Sequence, residues 1–72
     1  TKVRAHFSDT NLKRIRTTYG CTQAELAKRS GVSLRSIQMY EQRTKDINKA
    51  SAETVLSLAK VLGCTMEDLL EK

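Results

Sequence analysis

The chain has 72 residues, enough for one small domain over residues 1–72, and its 13 basic and eight acidic side chains give a net charge of +5. A single histidine, with no serine–histidine–acid arrangement and no glycine-rich phosphate loop, argues against an enzyme. No apolar run approaches the roughly 20 residues that span a bilayer, so we predict no membrane partner.

Five short helices and no strands are predicted from the hydrophobic periodicity, which makes the chain all-α. The helices are expected over residues 9–19, 23–30, 34–42, 52–62 and 66–71. Each follows a side chain that can cap a helix N-terminus, namely Ser8 or Asp9, Thr22, Ser33, Ser51 and Thr65. Residues 1–8 are expected to form an N-terminal arm.

The second and third helices carry the most informative pattern. Thr22 and Glu25 make a T-x-x-E capping box, in which each side chain accepts a hydrogen bond from the other residue's backbone N–H. Gly31 follows the second helix, where a left-handed conformation is often needed. Two short helices joined by such a turn are typical of a helix-turn-helix motif.

The third helix has one packed face and one polar face. With Ile37 as the inward reference at ~100° per residue, Tyr40 and Glu41 fall on the packed side. The opposite face carries Arg35, Gln38, Met39 and Gln42. Arginine can bind guanine, glutamine can bind adenine and apolar atoms can contact the thymine methyl, so this face suits base recognition. A solvated polar face would show the same pattern.

The basic charge lies before the fourth helix. Residues 1–49 hold eleven basic and four acidic side chains, whereas residues 50–72 hold two basic and four acidic ones. A pI near 9.6 with the charge gathered in one part is typical of nucleic-acid binding, although a solvated basic surface fits the charge equally well. The connection over residues 43–50 is polar and basic, and either follows a phosphate backbone or is a mobile surface loop.

The two cysteines, Cys21 and Cys64, do not form a metal site with the rest of the sequence. Only His6 could join them, whereas a structural zinc ion needs about four ligands at close spacing. We therefore predict neither a metal nor another cofactor. A disulfide stays open, but two small, half-buried thiols in a reducing cytoplasm are the simpler interpretation.

Three stretches within residues 10–71 resemble the Cro/phage-repressor type of helix-turn-helix domain, also called XRE-like. They are LKRIRTTYGCTQAELAKRSGVS, SIQMYE and ETVLSLAKVLGCTMEDLL. The resemblance implies a compact five-helix, lambda-repressor-like fold with the helix-turn-helix at helices two and three. It also implies a prokaryotic or phage transcription regulator, in the simplest case a repressor. Such a protein binds double-stranded DNA sequence-specifically, with helix 34–42 in the major groove.

The resemblance also implies roles for individual residues. The base-reading positions are Ser33, Leu34, Arg35, Gln38 and Met39. It also implies phosphate contacts for Arg16, Thr22 and Gln23. The basic character of the connection after helix three, and not the resemblance, adds Gln42, Arg43 and Lys45 as predicted phosphate contacts. Arg16 and Glu41 match a partly buried ion pair between helices one and three. Leu34 stands where many members carry a polar residue, often glutamine, so we expect it to contact a thymine methyl or the partner helix.

The sequence also fits a second function besides DNA binding. A protein-interaction module or antitoxin that keeps the fold is the alternative, and the outward Leu34 and Met39 suit it. The apolar residues of the last helix, Met66, Leu69 and Leu70, cannot all point into one small core. They predict either a homodimer contact or simple packing of the last helix.

Overall fold

The computed structural model describes residues 9–71, and every regular element within them is helical. The elements are α1 (Asn11–Tyr19), α2 (Gln23–Ser30), α3 (Leu34–Glu41), a 3-10 turn (Ile47–Lys49), α4 (Ala52–Leu62) and α5 (Met66–Leu69). The all-α, five-helix prediction is confirmed. The predicted arm, residues 1–8, lies outside the described residues.

The predicted start of α1 was wrong. Thr10 is the N-cap, because its Oγ1 accepts a hydrogen bond from the Lys13 backbone N–H at 3.1 Å. Asp9 was predicted as the cap, but its carboxylate lies 3.5 Å from the Lys13 ammonium in a surface ion pair. The other predicted cap, Ser8, lies outside the described residues. Thr10 is buried, whereas its neighbour Asp9 is exposed, so Thr10 is the one held against the fold at the start of α1.

Two helix ends also differ from the prediction. α5 stops at Leu69, whereas the sequence predicted a helix through Glu71. The backbone N–H of Glu71 donates instead to the Asn48 side chain at 2.8 Å, so the chain leaves the helical path there. α3 ends at Glu41, and Gln42 is its C-cap rather than its last residue.

One apolar core holds all five helices together. Its largest fully buried side chains are Leu12, Leu26, Ile37, Leu58 and Leu69. Each of these comes from a different helix, so every helix contributes a side chain to the same core. The α2–α3 pair is therefore held by the core as well as by its own turn, which gives α3 a fixed orientation.

The connection between α3 and α4 also enters this core, which the sequence analysis missed. Ile47 is 4% exposed and lies at the start of the 3-10 turn. Asp46 caps that turn by accepting a hydrogen bond from the Asn48 backbone N–H at 2.9 Å. The connection is thus anchored at its middle, and Arg43 and Lys45 lie on a short span between α3 and this anchor.

Candidate nucleic-acid interface

α2 begins with the predicted capping box. Thr22 Oγ1 accepts a hydrogen bond from the Glu25 N–H at 3.1 Å, and the Glu25 carboxylate accepts one from the Thr22 N–H at 2.9 Å. The bond from the Thr22 backbone favours the charged carboxylate and so lowers the pKa of Glu25. Thr22 itself is exposed, so the start of α2 is open to an approaching phosphate.

The turn from α2 to α3 is built on a glycine and a serine. Gly31 has φ +78°, a left-handed conformation in which a side chain would be strained, and its N–H donates to the Ala27 carbonyl at 3.0 Å. Ser33 then caps α3 by accepting a hydrogen bond from the Ser36 N–H at 3.1 Å. These contacts fix how α3 leaves the turn.

The two faces of α3 differ in burial, as the sequence predicted. Ile37 is fully buried and Tyr40 is 7% exposed, so they attach the helix to the core. The predicted base-reading residues all keep accessible surface: Ser33, Leu34 and Arg35 are exposed, and Gln38 and Met39 are half-buried. Their side chains offer a hydroxyl, a guanidinium, an amide and apolar atoms along one short helix.

A buried polar cluster joins α1, the start of α2 and the end of α3. Arg16 makes two hydrogen bonds to the Glu41 carboxylate, from Nε at 2.7 Å and from Nη2 at 2.9 Å. Its Nη1 donates to the Cys21 carbonyl at 2.9 Å, and Gln23 Nε2 donates to Glu41 at 2.9 Å. The structure therefore brings the predicted partners Arg16 and Glu41 into direct contact and adds Gln23, which the sequence analysis had assigned to phosphate alone.

This cluster has consequences for the phosphate roles of its members. The Glu41 side chain is only 3% exposed, and its hydrogen bonds raise the pKa of Arg16 above its ordinary value, against the opposing effect of burial. Three of the five guanidinium N–H groups of Arg16 are directed to internal acceptors. Any phosphate contact by Arg16 must use the remaining two, so its main effect in the fold is to orient α2 and α3.

The connection after α3 carries the remaining predicted phosphate contacts. Gln42, Arg43 and Lys45 are all exposed. Arg43 adopts φ +64°, and Lys45 Nζ lies 5.6 Å from the centre of the Tyr40 ring in a cation–π contact. Arg43 Nη1 lies 3.2 Å from Glu71, a partner 28 residues away that no sequence pattern indicated.

Other kinds of site are not found within residues 9–71. No group of three or more histidine, cysteine, aspartate or glutamate side chains there could hold a metal ion. Cys21 and Cys64 are free thiols, and burial raises the pKa of Cys64. None of the helices in this part of the chain has both the length and the apolar character needed to cross a membrane.

Comparison with known proteins identifies one family. The family model HTH_3, described as helix-turn-helix, matches residues 12–69 and so covers all of α2 to α5 and most of α1. A search of curated proteins found no match, and a search of solved structures found none either.

Proposed function

Since the chain belongs to the helix-turn-helix family of Cro/repressor type, whose members are DNA-binding transcription regulators, we propose that it binds a specific operator and represses transcription. The observation that supports this most is α3. It is attached to the core through Ile37 and Tyr40, while the opposite side keeps arginine, glutamine and methionine accessible. A rigid helix with such side chains suits the major groove, where each base pair presents a distinct pattern of donors and acceptors.

In this proposal Arg35 and Gln38 read bases by paired hydrogen bonds. Arginine matches the two acceptors of guanine, and glutamine matches the donor and acceptor of adenine. Leu34 and Met39 contribute apolar contact, for which the thymine methyl is the natural partner. Ser33 lies at the start of the helix, where its hydroxyl already donates to the Ser36 hydroxyl at 2.9 Å, so a contact with a base or a phosphate would replace that bond.

Phosphate contacts flank the recognition helix on both sides. Thr22 and Gln23 lie at the start of α2, where the positive end of the helix dipole attracts anions. Gln42 and Lys45 lie beyond the end of α3 and are exposed. Contacts on both sides fix the register of α3 on the duplex without specifying the sequence.

Specific binding requires two copies of the chain. α3 has eight residues and is therefore about 12 Å long, whereas half-sites one helical turn apart are separated by about 34–36 Å. We propose a homodimer through α5. Leu69 is fully buried within one copy, whereas Met66 and Leu70 remain half-buried and can contribute apolar surface to a partner copy.

A protein-interaction module is the second candidate, and one observation favours it. Leu34 is 40% exposed at the start of α3, where a base-reading helix commonly carries a polar side chain. Leu34 and the accessible part of Met39 are the apolar surface of α3 that a protein partner could cover.

The test is the selection of bound sequences from a random duplex pool, followed by binding to the selected site. We expect a symmetric motif, because two copies related by a two-fold axis read two half-sites. Arg35→Ala and Gln38→Ala should each weaken binding to the selected site by about 10- to 100-fold, since each loses a paired hydrogen bond to a base.

Lys45→Ala is the matched control. It should weaken binding to all duplexes alike and lower the slope of log affinity against log salt by about one, because a phosphate contact carries no sequence information. Unchanged DNA affinity in Arg35→Ala and Gln38→Ala would contradict the proposal and favour the protein-interaction module.

A further inference from the structure

Glu71 connects two parts of the fold that are far apart in the sequence. The Glu71 carboxylate accepts a hydrogen bond from the Asn11 backbone N–H at 2.6 Å, at the start of α1. Its other oxygen lies 3.2 Å from Arg43 Nη1, in the connection that follows α3. The Asn48 side chain accepts from the Glu71 N–H at 2.8 Å and donates to the Glu71 carbonyl. Glu71 therefore has a fixed position beside the connection.

This arrangement gives a predicted phosphate ligand an acidic partner within the same chain. Carboxylate and phosphate oxygens accept the same kind of charge-assisted hydrogen bond from a guanidinium group. An Arg43 side chain that is directed to Glu71 cannot donate the same N–H to DNA. We propose that Glu71 competes with the DNA backbone for Arg43 and thereby limits the affinity of the domain for DNA.

The ion pair between Glu71 and Arg43 is weak enough for DNA phosphates to displace Glu71 from Arg43. The Arg43 and Glu71 side chains are 48% and 26% exposed, and solvent-exposed ion pairs contribute little to stability. A duplex presents a dense row of phosphates and displaces such a pair at a modest cost in affinity. Glu71 stays in place after Arg43 leaves, because the Asn11 and Asn48 contacts do not involve Arg43. Glu71 therefore adjusts affinity without abolishing binding.

The inference rests on the proposed function, and paired glutamine variants test it. Glu71→Gln removes the negative charge that competes for Arg43. Glu67→Gln is the control and removes a negative charge from an exposed side chain of α5. Both variants lose one negative charge from the same end of the chain, so their general electrostatic effects on DNA binding are similar. We expect Glu71→Gln to bind a random-sequence duplex about two- to fivefold more tightly than Glu67→Gln, with a salt slope steeper by about one.

Two further measurements separate competition from a structural role. In an Arg43→Gln background, Glu71→Gln and Glu67→Gln should bind DNA equally, because the arginine for which Glu71 and DNA compete is absent. Thermal unfolding should show that Glu71→Gln is no more stable than Glu67→Gln, so that tighter binding accompanies unchanged or lower stability. Damage to the fold would instead weaken binding and stability together.

The inference is overturned if Glu71→Gln binds no more tightly than Glu67→Gln, or if the difference persists without Arg43. Those results leave the proposed function intact as long as the wild-type chain binds duplex DNA in a salt-dependent way. A wild-type chain that binds no duplex overturns both.

Discussion

Replacing Glu41 with alanine is expected to lower the free energy of unfolding by about 3 kcal/mol, which is a large fraction of the stability of a domain this small. The substitution leaves the Arg16 guanidinium buried without the carboxylate that accepts two of its hydrogen bonds. It also removes the acceptor of the Gln23 amide. Urea denaturation followed by circular dichroism measures the loss.

Two comparisons isolate the cause. Lys13→Ala removes one member of the exposed pair with Asp9 and should cost well under 1 kcal/mol. The double variant Arg16→Met/Glu41→Leu replaces both charges with apolar side chains and should recover most of the stability lost in Glu41→Ala. A Glu41→Ala variant as stable as Lys13→Ala would show that the buried pair does not hold the helices together.

Replacing Leu26 with alanine is expected to cost about 3 kcal/mol for a different reason. Leu26 is 0% exposed, on the face of α2 that packs against α3 and α4, and its truncation leaves a cavity in a close-packed core. The urea concentration at the midpoint of unfolding should fall, while the slope of the unfolding free energy against urea concentration stays constant. DNA binding should then fail at temperatures where the variant is unfolded and recover on cooling.

Leu56→Ala is the matched control, because it removes the same atoms from a side chain that is 42% exposed on α4. Its cost should be under about 1 kcal/mol, since much of that surface already contacts water. Equal losses in the two variants would mean that α2 is not anchored to the core through Leu26.

Local signals in the sequence predicted most of the fold. The T-x-x-E capping box and Gly31 fix the two ends of α2, because both act through hydrogen bonds or torsions within a few residues. The helical period of about 100° per residue predicted which face of α3 packs against the core. The cap of α1 was missed because Ser8, Asp9 and Thr10 are all residue types that can cap a helix, and no local pattern singles out Thr10.

Contacts between distant residues were less predictable. The pairing of Arg16 with Glu41 was implied only by resemblance to a family, because a packed glutamate shows that it needs a partner but not which one. Ile47 has no periodic apolar neighbour in its polar segment, so nothing local indicated its burial. The contact of Glu71 with Arg43 depends on where the last helix stops, which the periodicity placed two residues too late.

The roles of α3 at the DNA remain predictions, and intermolecular nuclear Overhauser effects on a complex with the selected duplex test them most directly. We predict contacts between the side chains of Arg35, Gln38 and Met39 and base protons in the major groove. The Met39 methyl group is the most sensitive probe. A bound complex in which these contacts come from another helix, or in which no α3 side chain approaches a base, would contradict the placement of α3 in the major groove.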